Sequence, residues 1–511
     1  MKKRFNYLFI FLSILLVLPA IVGLLHPGFF LTDDGNWMVI RFSAFYEALR
    51  AGQFPVRFLF RLNNMYGYPV SDFLYPLFMY IGVLIHIVGF NFVSTIKVVS
   101  VLSLVFSSLF SFYWLRKTFS NLSSLIGSLA YVYFPYHMFD LYRRGSIGEV
   151  LALAIVPFVF WQIERKNLPL VSFGIALLIL SHNTLALIFL PVIFIYMILK
   201  RISFFKSIIS LVISLGLSAF FWFPALYDLQ FTAFSKVSVS DFSKYFVDPN
   251  NLNYFGYVSL IVLILSVVLL FLKRSKSFIY FFLIFIVFSF LALSSSKLIW
   301  QILPIAKEIQ FPFRFLSVVC LAAGYLVCYQ IDCFKKYWKF LLAAVYIILI
   351  FVSAKDFIYP TSFQYYPDSF YSTNLDTTTV KQEYMPKWVK NVPVSVPSEK
   401  VEVISGKGEI SDLVNKGNLS FSVKAAQKST ILINSVYFPG WIVNVDGSSV
   451  PISYEQSGLI QFSVVSGTHS VMIYFAETPL RLAADLISLI FLIFLVCLVV
   501  LEITPRTIIY T

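Results

Sequence analysis

The stretch NYLFIFLSILLVLPAIVGLLHPGFFLTDDGNW, residues 6–37, decides how the rest of the chain is read. Residues 6–25 carry no charge, and an apolar run of about 20 residues is long enough to cross a bilayer as a helix. Lys2-Lys3-Arg4 stand before it and Leu24-Leu25-His26-Pro27 end it. The run is too long for a typical signal-peptide core and lacks a small-x-small cleavage site. It reads as a retained first helix with a cytoplasmic N-terminus. Where that helix should surface stand two adjacent carboxylates, Asp33 and Asp34, in a chain with only 25 Asp and Glu among 511 residues.

Outward from this stretch the same pattern repeats. The composition is 59% hydrophobic, 19% aromatic and 13% charged, whereas a soluble domain is roughly half apolar and about a quarter charged. The chain therefore reads as a polytopic α-helical membrane protein. Its net charge of +14 does not point to nucleic acid, because the basic excess sits in short loops between apolar runs, as cytoplasmic loops require. The four cysteines, at 320, 328, 333 and 497, lie in or beside apolar runs, without zinc-ligand spacing.

Helices are expected at 6–25, 95–115, 121–136, 148–163, 168–181, 184–199, 206–223, 252–272, 277–294, 313–331, 337–353 and 482–502, twelve full spans in all. Charge sets the count. Arg116-Lys117, Arg165-Lys166, Lys200-Arg201, Lys273-Arg274-Ser275-Lys276 and Lys335-Lys336 follow alternate runs and belong on the cytoplasmic side. If 73–90 crossed fully, all of them would face outward, so that run is expected to re-enter or lie along the outer leaflet, with a full span as the alternative. The outer segments are then 26–94, 137–147, the turn at 181–183, 224–251, 295–312 and 354–481. Within the first, residues 36–50 place apolar side chains at helical spacing and leave Arg41, Glu47 and Arg50 on one polar face, as in a helix lying in the interface.

Residues 354–481 change character. Segments 401–405, 419–423 and 470–475 alternate apolar and polar residues, as half-buried strands do. Asp446-Gly447 marks a tight turn between strand-like runs 441–445 and 450–454. Three parts follow: a transmembrane domain over 1–353, an extracytoplasmic antiparallel β-domain of sandwich type over 354–481, and a last helix with a short cytoplasmic tail over 482–511.

Charges are costly near lipid, so polar groups gathered at helix ends on one side are functional candidates. The expected outer face collects Asp33, Asp34, Asp140, Arg143, Arg144, Glu149, His182, Asn183 and Arg314. Each has a bland reading. Thr32 or Asp33 could cap the interfacial helix, and Arg143 and Arg144 could anchor headgroups. Glu149 could serve a helix dipole, His182 and Asn183 a tight turn, and Arg314 could snorkel. All of these holding together is less economical than one shared site.

The order of motifs supports such a site. Asp33-Asp34-Gly35-x-Trp37, Gly52-Gln53-Phe54-Pro55, Gly67-Tyr68-Pro69 and Phe73-Leu74-Tyr75-Pro76 resemble the first-loop signature of the GT-C superfamily of membrane glycosyltransferases. The likeness is nearest to bacterial YfhO-like proteins and the membrane family labelled 6-pyruvoyl-tetrahydropterin synthase-related. Arg144-Gly145-Ser146-Ile147-Gly148-Glu149, Ser181-His182-Asn183, residues 311–316, Phe438-Pro439-Gly440-Trp441, Asp446-Gly447 and Gly467-Thr468-His469 continue it along nearly the whole chain. The pterin label is taken as a name only.

The resemblance implies transfer of a sugar from a polyprenyl-phosphate donor to an extracytoplasmic glycan, lipid or protein acceptor at the plasma membrane, with the first-loop Asp as base. Asp33 and Asp34 are both candidates for that base, and Asp33 is preferred. Arginine forks fit phosphate oxygens, so Arg143, Arg144 and Arg314 are the donor-phosphate candidates, supported by Asp140, Glu149, His182 and Asn183. Many relatives carry a second-loop acidic residue that supports a metal or the acceptor. Asp140 and Glu149 both match it, so a divalent cation is neither required nor dismissed by the sequence. The rival readings are a flippase for lipid-linked glycans, disfavoured by the apolar centres of several helices, and a non-catalytic scaffold of the same fold.

Overall fold

The structure is a computed structural model that describes residues 2–234, 242–248, 252–302 and 306–503. The expected cytoplasmic tail at 504–511 lies outside these residues, as do parts of the outer segments 224–251 and 295–312.

The first apolar run forms two helices, α1 (Lys2–Leu15) and α2 (Leu18–Leu25), bent by 40° at their junction. Pro19 sits in the first turn of α2, where its missing N–H is tolerated but the ladder from the preceding helix is cut. Next come α3 (Gly35–Arg50), α4 (Leu77–His86) and α5 (Phe92–Leu115). At ten residues, α4 is about 15 Å long, too short for a hydrocarbon core of about 30 Å. Run 73–90 therefore does not cross as one helix.

Helix α6 (Asn121–Val132) stops short of the expected 136 because Pro135 opens a separate short helix, α7 (Pro135–Phe139). A π turn over Asp140–Arg144 closes on Gly145 in the left-handed region and leads into α8 (Ile147–Arg165). Helices α9 (Leu168–Ser181), α10 (Asn183–Leu199), α11 (Phe204–Leu217) and α12 (Ala219–Asp228) follow, the last two bent by 73°. Later helices cover Gly256–Leu272, Lys276–Ala292, Leu316–Cys333, Lys336–Ala354 and Pro479–Ile503.

Each run expected to span contains helix, in one piece or two. Among the described residues five helices are long and apolar enough to cross a membrane, or seven if each bent pair is one span. Five further apolar helices have 10–17 residues, among them Leu168–Ser181 and Asn183–Leu199, which meet at the turn 181–183. Helix α8 and the segment Pro312–Cys333 are the most enclosed, with 83% and 89% of their apolar windows buried, against 17% for Pro479–Val500. The protein core thus lies along α8 and Leu316–Cys333, and the last helix faces outward.

Two short strands, β1 (Phe29–Phe30) and β2 (Phe363–Gln364), pair antiparallel and tie the end of α2 to the segment before the β-region. That region contains β3 (Val401–Ser405), β4 (Gly408–Lys416), β5 (Asn418–Ala425), β6 (Ser429–Val436), β7 (Trp441–Val445), β8 (Ser448–Val450), β9 (Leu459–Val464) and β10 (Gly467–Phe475). They form a five-stranded sheet ordered β4-β5-β10-β7-β8 and a three-stranded sheet ordered β3-β6-β9, with antiparallel pairing throughout. Asp446 and Gly447 have φ of +50° and +81° and make the two-residue turn between β7 and β8. The second strand begins at Ser448 rather than the expected 450, because a two-residue turn leaves no intervening loop.

A candidate active cleft at the start of α3

The site begins with the turn into α3. Thr32 Oγ1 accepts the Gly35 N–H at 2.9 Å, and Asp34 makes no side-chain bond to the helix end. A threonine does the capping, so neither carboxylate is spent on it. The backbone holds the pair instead: the N–H groups of Asp33 and Asp34 donate to the carbonyls of Arg143 and Arg144 at 2.9 and 2.8 Å. This close approach depends on Gly145. Its φ is +69°, and a Cβ there would collide with Thr32 Oγ1 and lie 2.9 Å from Gly35 Cα.

Beside this seam lies a cleft of about 340 Å³. Asp33, Asp34, Arg144 and Lys244 supply its charges, and Phe139, Tyr245, Tyr254, Phe311 and Phe313 are among its aromatic walls. Asp33 is exposed and Asp34 half-buried. Burial lifts the Asp34 carboxyl above the ordinary carboxylate range, against the opposing pull of Arg144 and Arg41.

Behind the cleft is a buried charge network centred on Glu149, which is 0% exposed. Its Oε1 meets Arg144 Nη1 at 2.8 Å, Arg314 Nε at 2.9 Å and His182 Nε2 at 3.4 Å. Tyr136 donates its hydroxyl to Oε2 at 3.0 Å. Arg144 Nη1 also reaches Asp140 Oδ1 at 2.5 Å. The guanidinium of Arg144 lies over the rings of Phe313 and Phe311, at 5.0 and 5.7 Å, and that of Arg314 over Phe311 at 4.7 Å. Charge-assisted bonds and aromatic stacking together fix both guanidinium planes. Burial pushes the His182 imidazole down to about 3, so it is neutral at working pH, and its Nδ1 accepts the Leu185 N–H at 3.2 Å.

Of the residues singled out in the sequence, Asp33, Asp34 and Arg144 line the cleft, while Asp140, Glu149, His182 and Arg314 form its backing. Arg143 turns away. Its guanidinium donates to the carbonyls of Tyr359 and Asp356, at 2.9 Å for the first. Asn183 is exposed and bonds locally to the Thr184 N–H at 2.9 Å. Among the described residues no three His, Cys, Asp or Glu gather as metal ligands. Asp140 and Glu149 bond arginines instead, so the residues present do not fit a divalent-cation cage.

Some contributors were not picked out in the sequence, and one was placed wrongly. Lys244 and Tyr254 line the cleft, and Tyr136 completes the bonding of Glu149. Arg41, expected on an exposed polar face, is 4% exposed, with Nε on Thr378 Oγ1 at 3.2 Å and Nη2 on the Thr378 carbonyl at 2.6 Å. Residues 371–378 cover that face of α3, and helical periodicity within α3 carries no trace of a cover so distant in sequence.

Helices that bury a polar network behind a charged cleft define an integral membrane protein with a built site at its helix ends. The chain belongs to the 6-pyruvoyl-tetrahydropterin synthase related domain family, described as a membrane protein, whose profile matches residues 72–360. An uncharacterized protein of Lactococcus lactis subsp. cremoris (strain MG1363) is 29% identical over 280 residues, covering 50% of this chain and 44% of the relative. The chain thus spans less than half the length of that relative. Among solved structures it is similar to the arabinofuranosyltransferase AftD from Mycobacteria, at 15% identity and a TM-score of 0.44, over 71% of this chain and 27% of AftD. It is also similar to the oligosaccharyltransferase AglB from Archaeoglobus fulgidus, solved with an inhibitory peptide and a dolichol-phosphate. There the identity is 12% and the TM-score 0.42, over 73% of this chain and 56% of AglB.

Proposed function

We propose that this protein is a GT-C-type glycosyltransferase that moves a sugar from a polyprenyl-phosphate donor to an acceptor hydroxyl at the extracytoplasmic face of the plasma membrane. The observation that carries the reading is the cleft shared by Asp33, Asp34 and Arg144. It pairs an uncommitted carboxylate with a guanidinium whose plane is already fixed.

The reaction is an inverting single displacement. The acceptor oxygen forms a bond to the anomeric carbon while the bond from that carbon to the phosphate oxygen breaks. Asp34, or Asp33 beside it, takes the acceptor proton. Its raised affinity for protons brings it nearer the operating pH, where a general base works best. The electron pair leaves with the phosphate, and Arg144, with Lys244 nearby, stabilises the growing charge. A phosphate leaving group needs no protonation, so no general acid is required. Arg314 and Glu149 serve by holding Arg144. The aromatic walls accept the apolar face of the sugar.

The test is transfer from polyprenyl-phosphate hexoses and pentoses in membranes carrying Asp33→Asn or Asp34→Asn. One of the two abolishes transfer while insertion stays normal. Full activity in both variants sinks the proposal and favours a scaffold role.

A further inference from the structure

The larger of the two described cavities, about 510 Å³, is not the catalytic cleft. It is a groove between the C-terminal half of α3, the chain around 60–65 and the β-region. Its floor is apolar: Leu419, Ile433 and Ile473 are at most 4% exposed. Four aromatic rings, Tyr46, Phe60, Phe92 and Trp441, stand along it, with Phe60 and Trp441 edge-to-face at 5.9 Å. The Trp441 indole N–H is buried and has no partner within the protein. Gly417, with φ of +89°, lets the β4–β5 turn approach Ala51 so closely that a Cβ would collide, which closes one end of the groove.

The charges are unequal. Arg61 is bonded to Glu47 at 2.8 Å, and these two offset one another. Arg50 and Lys400 are left. Arg50 is exposed and lies 6.0 Å over the Tyr46 ring. Lys400 spends two of its three N–H donors on the Met65 and Asn434 carbonyls, each at 2.7 Å. The groove thus offers flat apolar faces, a surplus of positive charge and the unspent third N–H of Lys400. A pyranose chain carrying acidic groups matches all three features.

Position supports this. Asp34 immediately precedes α3 and Arg50 ends it, so at 1.5 Å per residue the α3 residues that line the groove, Ser43 to Arg50, lie about 14–24 Å from Asp34 along the helix. That is a reach of several sugar units. We infer that this groove is a distal subsite for an anionic glycan strand, holding the acceptor by units remote from the reacting hydroxyl. The inference rests on the glycosyltransferase reading and names its acceptor class.

The experiment is equilibrium binding of labelled tetragalacturonic acid, with maltotetraose as the uncharged counterpart, to full-length protein in phosphatidylcholine nanodiscs. Wild type binds the acidic oligomer more tightly than the neutral one. Arg50→Glu, at an exposed position that folding tolerates, weakens the acidic oligomer by roughly tenfold, about 1.4 kcal/mol, and the neutral one little. Tyr46→Leu weakens both. Asp34→Asn leaves binding intact, because Asp34 is not in the groove. No binding to wild type, or equal binding by wild type, Arg50→Glu and Tyr46→Leu, overturns the inference. Loss of binding in Asp34→Asn also overturns it, by moving the site to the cleft. Displacement of the oligomer in phosphatidylglycerol nanodiscs reassigns the groove to a lipid headgroup and overturns it too. Loss of transfer in Asp34→Asn is read separately, so failure of the catalytic reading is not confused with failure of the subsite.

Discussion

At the scale of single residues, Glu149 is the centre of the site although it does not line the cleft. One buried carboxylate holds two arginines, a neutral histidine and a tyrosine hydroxyl. Breaking a buried ion pair by removing one partner costs about 3–5 kcal/mol. Glu149→Gln keeps the shape and loses the charge, so a loss of about 3 kcal/mol and a large fall in transfer are expected, with the first read by thermal unfolding in detergent. A melting point within a degree of wild type would argue against the network. Acid exposes a second effect. The His182 pKa falls from 6.5 unfolded to about 3 folded, so the unfolded chain takes up the proton first. Stability is then lost as pH drops from about 6.5 toward 3, at up to roughly 1.4 kcal/mol per pH unit. His182→Gln is predicted to flatten this slope in a series of melts between pH 7 and 4. Asp34 acts on rate instead. Its raised pKa places the acid limb of the wild-type transfer profile above the ordinary carboxylate range.

At the scale of elements, the decisive piece is the seam between the turn before α3 and the π turn before α8. Nothing in the motif order showed how close the two strands of backbone lie, but Gly145 marks the place. Gly145→Ala puts a side chain in the left-handed region, at a cost of about 1–2 kcal/mol, and also into the backbone of Gly35. The turn must shift, and with it both carboxylates. The expected result is normal membrane insertion with transfer reduced at least tenfold, while Gly52→Ala, with open space around its Cβ position, has a much smaller effect on the rate. Similar rates for the two would show that the seam does not position the base. Here the limits of sequence reading are plain. Apolar runs marked every major helix, because burial in lipid leaves a pattern local to each run. Alternating strands and Asp446-Gly447 were legible for the same reason. Arg41 was misjudged because its cover, residues 371–378, is more than three hundred positions away in sequence. Arg143 and Arg144 are neighbours of identical chemistry, and only the π turn sends one to the cleft and the other to Asp356 and Tyr359.

At the scale of the whole molecule, a second buried charge cluster joins the β-region to the helices. Arg57 Nε and Nη2 meet Glu477 at 3.1 Å and Asp485 at 3.0 Å, and Nη1 lies 3.5 Å from Asp72. Arg481, 0% exposed, puts Nε 2.8 Å from Asp228 and Nη2 3.6 Å from Asp72, and donates to the Pro439 carbonyl at 2.8 Å. The first outer segment, α12, the Pro439 turn and the last helix are thus clamped by two arginines among four carboxylates. The sequence carried no hint of this, since its members span positions 57 to 485. Isolated buried charges are very costly, so the cluster holds only while each arginine stays. Arg481→Leu should leave Asp228 and Asp72 short of a cation and cost about 3–5 kcal/mol. The loss should appear as a lower melting point and as new protease cleavage between β10 and the last helix. Adding Asp228→Asn removes one unpaired charge and should recover part of the loss, a non-additive outcome expected of residues in contact. If Arg481→Leu melts like wild type, or if the second substitution deepens the loss, the clamp is not what holds the β-region in place. If both behave as stated, the clamp holds the β-region that supplies Trp441 and Ile473 to the groove beside α3. Oligosaccharide binding in Arg481→Leu should then fall together with the melting point and recover with the double variant.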